Sequence, residues 1–256
     1  MSGLCNRGGY SVVSLGFFCS VALENERIGI RDCSLPFDWL IAGDFEKVLW
    51  LIENDFKDFL LEENLYQEYD IDPNYYYDCE SKVHFYHDFL HNIPLRNQYN
   101  SVKDKYNRRI KRFYKVITSP TLFVRYCSGG EKELNYIKKN REEILNILRR
   151  YNPNNEIIYI YTGNKNEQVD DGIFCVEADK NDGVARVYLN KLPQLESFLL
   201  VKSVLTEEEI NNNAEKARIK NRFSDFKKLL KKIRSRLAGK LRIAYYHDKQ
   251  YSDLLK

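Results

Sequence analysis

Leu122-Phe-Val-Arg-Tyr126 stands between Pro120 and Ser128-Gly-Gly130, and a run with apolar residues at helical spacing, Glu131 to Tyr151, follows it. A short apolar run bounded by breakers reads as a buried strand, and the periodic run after it as an amphipathic helix. Asn152-Pro-Asn-Asn155 ends that helix. Glu156 to Tyr161 and Gly172 to Glu177 repeat the buried-strand pattern. Upstream, Tyr10-Ser-Val-Val-Ser-Leu15 has the same character; Gly16 closes it and a short helix is expected over Phe17 to Ile28. Strands alternating with helices predict an α/β fold, a mostly parallel sheet with helices on both faces. A helical appendage is expected to follow, because Glu207 to Leu237 reads as one long charged helix, with a short element over Leu241 to Tyr246. The expected division is therefore 1–205 and 206–256.

Between the first two strands the pattern is more varied. Gly29 to Pro36 is a break, and Cys33-Ser-Leu-Pro-Phe-Asp-Trp39 suggests an ordered, aromatic-lined loop. Phe45, Val48, Leu49, Ile52, Phe56, Phe59 and Leu60 fall on one helical face, which predicts a helix over Asp44 to Leu61 capped by Asp44. Tyr66 to Glu80 reads as a loop, Val83 to Leu90 as a short strand or a helix entry, and Asn100 to Ile117 as a helix.

Of the 256 residues 43% are hydrophobic and 30% charged, with 12 Gly and 6 Pro, enough apolar surface to offset the entropy of ordering, so wholesale disorder is excluded. A net charge of +3 is far from the concentrated basic field that makes nucleic acid the default partner, and none is expected. Cysteines at 5, 19, 33, 79, 127 and 175 form no Cys-x-x-Cys pair, which predicts free thiols in a reducing compartment. The first residues lack a secretory apolar core and no run approaches a membrane span, so a cytoplasmic protein is expected.

Ser14-Leu-Gly-Phe-Phe-Cys19 is the sharpest local pattern: a strand ending in glycine, with a cysteine at the first turn of the next helix. Unpaired amides and the helix dipole favour an anion there, which makes a thiolate available near neutral pH. Gly16 lets the turn approach a substrate closely. A thiol nucleophile wants an imidazole within reach, and the chain has four, His84, His87, His91 and His247. His87 and His91 are spaced as helical metal ligands, but no third ligand accompanies them, so zinc is not expected, and thiol chemistry of this kind requires no metal or organic cofactor.

Taken together, Ser14-Leu-Gly-Phe-Phe-Cys19, Ile28-Gly-Ile-Arg31, Ser34-Leu-Pro-Phe-Asp-Trp39, Phe85-Tyr-His-Asp-Phe89, Arg108-Arg109 and Leu122-Phe-Val-Arg125 resemble a bacterial domain-of-unknown-function family described as papain-like cysteine peptidases, often found near surface-polysaccharide genes. Here Leu35 separates Ser34 from Pro36, a departure from that family's pattern. The resemblance implies Cys19 as nucleophile and His87 as base. Asp38 is the available orienting carboxylate, and capping a turn is an equal use for it. The resemblance also implies an α+β papain-like fold as the alternative, with the cysteine on a helix and the histidine on a mainly antiparallel sheet. A peptide or a glycan-linked amide or ester is the implied substrate, with Gly16, Arg31, Trp39, Arg109 and Arg125 lining its site.

A second reading rests on the arginines. Arg31, Arg109 and Arg125 suit bidentate pairing with phosphate or carboxylate, so a transferase or binding protein for a glycan or sugar nucleotide would use Arg109 and Arg125. Lys216 to Arg242, with Phe223, Phe226, Leu229, Leu230, Ile233 and Leu237 at helical spacing, is an amphipathic cationic helix. It either packs its stripe on the domain or touches an anionic membrane peripherally.

Overall fold

Strand β6, Thr121–Tyr126, is buried at every residue, which only a strand covered on both faces can be. The computed structural model describes residues 9–68, 75–127, 130–177, 189–225 and 227. β1 (Ser11–Ser14) and β7 (Glu156–Gly163) flank β6 in parallel, β9 (Ile173–Glu177) runs parallel to β7, and β8 (Glu167–Asp170) closes the far edge antiparallel to β9. The five-stranded sheet is thus mostly parallel, as the alternation of strands and helices predicts.

The period of two sorts its side chains onto two cores. Leu122, Val124, Tyr126, Ile158, Ile160, Phe174 and Val176 face α1 (Ser20–Arg27) and α6 (Pro193–Lys202), which contribute Val21, Leu195 and Leu199. Phe123, Ile157, Tyr159 and Ile173 face the larger core, filled from α2 (Phe45–Glu53), α3 (Leu95–Ile117), α4 (Gly130–Lys139) and α5 (Arg141–Arg149). Helices lie on both faces.

The long connection from β1 to β6 holds a second sheet, antiparallel, in the order β2 (Leu40–Ile41), β5 (Val83–Phe85), β4 (Tyr76–Asp78) and β3 (Leu65–Gln67). Val83 to Leu90 resolves as a strand followed by a bend. The loop expected over Tyr66 to Glu80 is corrected to a strand pair within the described residues, with Tyr76 buried against Phe89 and Phe85. Asp78 organises the turn below it, its carboxylate accepting the amides of Leu60 (2.7 Å), Glu80 (3.1 Å) and Ser81 (3.2 Å).

Asp44 caps α2 as expected, Oδ1 accepting the Lys47 amide at 3.0 Å. The helix stops at Glu53 and not at Leu61, because Asp55, Phe56, Asp58 and Leu60 take left-handed backbone angles. That turn still delivers Phe56, Phe59 and Leu60 to the core. Likewise the helix expected over Glu131 to Tyr151 divides at Asn140, whose side-chain amide donates to the Tyr136 carbonyl at 2.8 Å.

The charged C-terminal helix runs over 207–225 among the described residues, and its first turns lie against Gly29. Asn213 donates to the Gly29 carbonyl (3.3 Å), Lys220 pairs with Glu26 (2.7 Å), and Ala217 is buried. Gly29 has φ +83°, and a Cβ there would stand 2.1 Å from the Ile210 carbonyl oxygen. Gly29→Ala is therefore expected to cost more than about 1 kcal/mol in urea unfolding and to hasten protease cleavage within 207–225. Apart from Lys216 to Asp225, most of the proposed membrane-contacting stretch, with Phe226, Leu229, Leu230, Ile233 and Leu237, lies outside the described residues, as does the element expected over Leu241 to Tyr246.

Candidate active site

Ligands of open parallel sheets sit outside the carboxyl ends of the strands, and the turn from β1 to α1 lies there. Gly16 has φ +86°, a backbone state that costs glycine little. The Phe17 amide donates to the Tyr126 carbonyl (3.1 Å) and the Phe17 carbonyl accepts from Ala42 (2.6 Å), so one residue of the turn joins it to both sheets. Cys19 is the N-cap of α1 and is half-buried. Phe17, Phe18 and Tyr126 form an aromatic group beside it, with ring centroids 4.8 to 5.7 Å apart, and the Tyr126 hydroxyl meets Thr162 at 3.4 Å.

The backbone amides after Gly16 are the donors a substrate oxygen would meet at this turn. Phe17 spends its amide on β6, which leaves Phe18 as the first amide past Gly16 able to serve.

The environment separates Cys19 from other thiols. Cys127 and Cys175 are buried, and burial pushes the Cys127 thiol well up. Cys33 lines a cavity of about 80 Å³ with Asn25, Arg31 and Asp38, and burial raises it too, with Asp32 adding to the effect. Cys79 is exposed.

Arg125 is placed differently from the expectation that it binds substrate. It is fully buried, and its guanidinium points under the Gly16 turn. Nε pairs with Glu133 at 2.9 Å, Nη1 donates to the carbonyls of Leu15 (2.9 Å) and Ala42 (2.8 Å), and Nη2 donates to Gly43 (3.2 Å). Phe45 covers its face at 4.9 Å. A side chain so engaged is a strut that holds the turn, β2 and α4 together.

Arg31 and Asp38 are brought together. Nε and Nη2 of Arg31 hold Asp38 Oδ2 at 3.1 and 3.0 Å, the Leu35 amide donates to the same oxygen at 2.9 Å, and burial nonetheless pushes the Asp38 carboxyl up. Asp38 thus spends its carboxylate on Arg31 and its own turn, the capping use, and the contacts seen here do not include His87. Arg31 also lies over Trp39 (5.1 Å), whose ring meets His87 edge-on at 6.3 Å. His87 is exposed between Trp39 and Tyr86. Asp88 points inward to Tyr106 (2.8 Å) and Lys105 (2.5 Å), with Arg109 4.0 Å away. Arg109 is buried against the Tyr106 ring, and its Nη1 has no hydrogen-bond partner.

A pair that the motif reading missed stands on the same small sheet. His84 Nε2 lies 3.1 Å from Glu68 Oε2, and the ring is framed by Tyr77 (4.6 Å) and Tyr75 (5.5 Å). Burial pulls the His84 imidazole down, against the opposite pull of Glu68. The only signal in the sequence is the alternation Val83-His-Phe85, which puts His84 on the face opposite the core. Among the described residues no group of three or more His, Cys, Asp or Glu is arranged to hold a metal ion, and no helix is long and apolar enough to cross a membrane.

Fold and site define a class: an α/β protein presenting a thiol from a helix start, with an antiparallel sheet that carries His84. The chain belongs to the family whose description reads "Putative papain-like cysteine peptidase (DUF1796)", matched over residues 10–156. Over 164 residues it is 26% identical to "Uncharacterized protein R408" of Acanthamoeba polyphaga mimivirus, covering 57% of this chain and 73% of the viral protein. No solved structure matches. The papain-like alternative implied a cysteine on a helix and His87 on an antiparallel sheet; here Cys19 caps α1, His87 follows the end of β5, and the main sheet is mostly parallel.

Proposed function

We propose that this protein is a thiol-dependent hydrolase or acyl transferase in which Cys19 attacks a carbonyl carbon and a histidine of the small sheet takes the thiol proton. One observation carries the reading: Cys19 is the cap of α1 at the carboxyl end of the parallel sheet, half-buried, where helix amides favour a sulfur anion. Family membership supports it. The substrate class is an amide or ester on a peptide or glycan, and the backbone from Phe18 onward supplies the oxyanion donors. The reaction needs no metal or organic cofactor, and it is assigned to the cytoplasm.

The reading that a glycan or sugar nucleotide is bound through Arg109 and Arg125 loses its main donor, since Arg125 faces protein carbonyls and Glu133.

Iodoacetamide labelling across pH, with each adduct located by mass spectrometry, tests the reading, and exposed Cys79 is the internal reference. Cys19 is expected to react ahead of Cys79 below about pH 7, with an apparent pKa well under ~8.5. Slow labelling of Cys19 that merely tracks Cys79 would remove the hydrolase.

A further inference from the structure

We infer that His84, oriented by Glu68, is the base that serves Cys19, and that His87 is not; this deepens the function proposed above and rests on it. The argument is one of register. Ala42 donates to the Phe17 carbonyl, which anchors the end of β2 to the cysteine turn. Ile41, the residue before it, packs against the core that Phe17 and Cys19 also touch. His84 is the direct partner of Ile41 across β2 and β5. Directly opposed residues in an antiparallel pair project to the same face with Cβ atoms about 4.5–5.5 Å apart. His84 therefore shares the side of the small sheet on which Ile41 approaches the turn.

His87 is further along. Its neighbour is Trp39, two residues back from Ile41 and before β2 begins. The chain has also left β5 at that point.

Glu68 adds a chemical argument. Its Oε2 is buried and makes no hydrogen bond among the described residues, and it stands 3.1 Å from the His84 Nε2 as an ion-pair contact. A carboxylate this close to Nε2 favours a proton there and leaves the other nitrogen, Nδ1, as the acceptor, the arrangement a nucleophile's base requires. Among the described residues no such carboxylate accompanies His87. Among the described residues, the titratable groups facing His84 besides Glu68 are the phenols of Tyr75 and Tyr77 from the β4 side.

In the step assigned, the Cys19 thiol proton passes to Nδ1 of His84 and sulfur forms a C–S bond to the carbonyl carbon. The bond to the leaving amine or alcohol breaks, and that group takes the proton from the imidazolium. Water, or an acceptor alcohol or amine, then cleaves the thioester, giving a proton back through His84 and restoring the thiol.

The experiment is the pH profile of Cys19 alkylation by iodoacetamide in the full chain, compared between the unmodified protein and H84Q, E68Q and H87Q, with near-UV circular dichroism as the check on folding. H84Q is expected to slow Cys19 alkylation at pH 6.5 roughly tenfold or more by abolishing the low-pH limb, while Cys79 is unaffected. E68Q, which keeps the imidazole, is expected to move the limb part of the way, and H87Q to leave it in place. A limb that survives H84Q, or that H87Q removes, overturns the assignment and leaves the thiol hydrolase standing. A Cys19 with no such limb in the unmodified protein overturns both. Should H84Q lose its near-UV signature, E68Q decides: no displacement of the limb in that variant rejects the pair.

Discussion

Arg125→Met is expected to lower the melting temperature by about 10 °C or more, or to leave the protein insoluble. The guanidinium satisfies Glu133 and the buried carbonyls of Leu15 and Ala42 at once, and reaches the carbonyl of Gly43 at the edge of the interior. Removing one partner of a buried ion pair costs about 3–5 kcal/mol because the other charge is stranded, and stranded carbonyls add about 1–3 kcal/mol each. At about 2–4 °C per kcal/mol for a chain of this size, the shift is large even if the site relaxes. Thermal unfolding of R125M and of the double variant R125M/E133L separates the causes: the double should recover part of the loss, since no charge is then stranded. A melting point for R125M within about 2 °C of the parent would mean that the strut does not hold the turn.

Cys19→Ser is expected to abolish chemistry while sparing the fold. Oxygen replaces sulfur in a half-buried position, so the melting temperature should move by less than about 3 °C. A serine hydroxyl, unlike a thiol, is not ionised by a helix start near neutral pH, and turnover of a chromogenic acyl ester such as p-nitrophenyl acetate should fall at least about a hundredfold. Unchanged ester turnover in C19S would move the reaction elsewhere or deny it altogether.

Much of the frame was legible because it is local. β6, β7 and β9 announce themselves as apolar runs between breakers, and Asp44 as a helix cap. β8 did not, because Glu167-Gln-Val-Asp170 is exposed at every residue and carries no alternation. The tyrosines of β4 read as loop because acids and Pro73 surround them. The end of α2 was hidden by apolar residues that keep helical spacing after the backbone has turned left-handed.

The site shows the same division. A glycine after a strand and a cysteine before a helix are local facts, and both stand where the sequence indicated. What Arg125 meets is decided by Ala42, Gly43 and Glu133, none of which its immediate neighbours in sequence reveal. The pairing of His84 with Ile41 bridges 43 positions, so no inspection of either segment alone would disclose it.

β8 gives the main sheet its outer border. A strand at that border offers unpaired amides and carbonyls to any passing chain, and long apolar borders invite stacking into fibres. This one is four residues long, bulged, and carries Glu167 and Asp170 in water. Two molecules meeting β8 to β8 would press like charges together, so this border resists joining to its own copy.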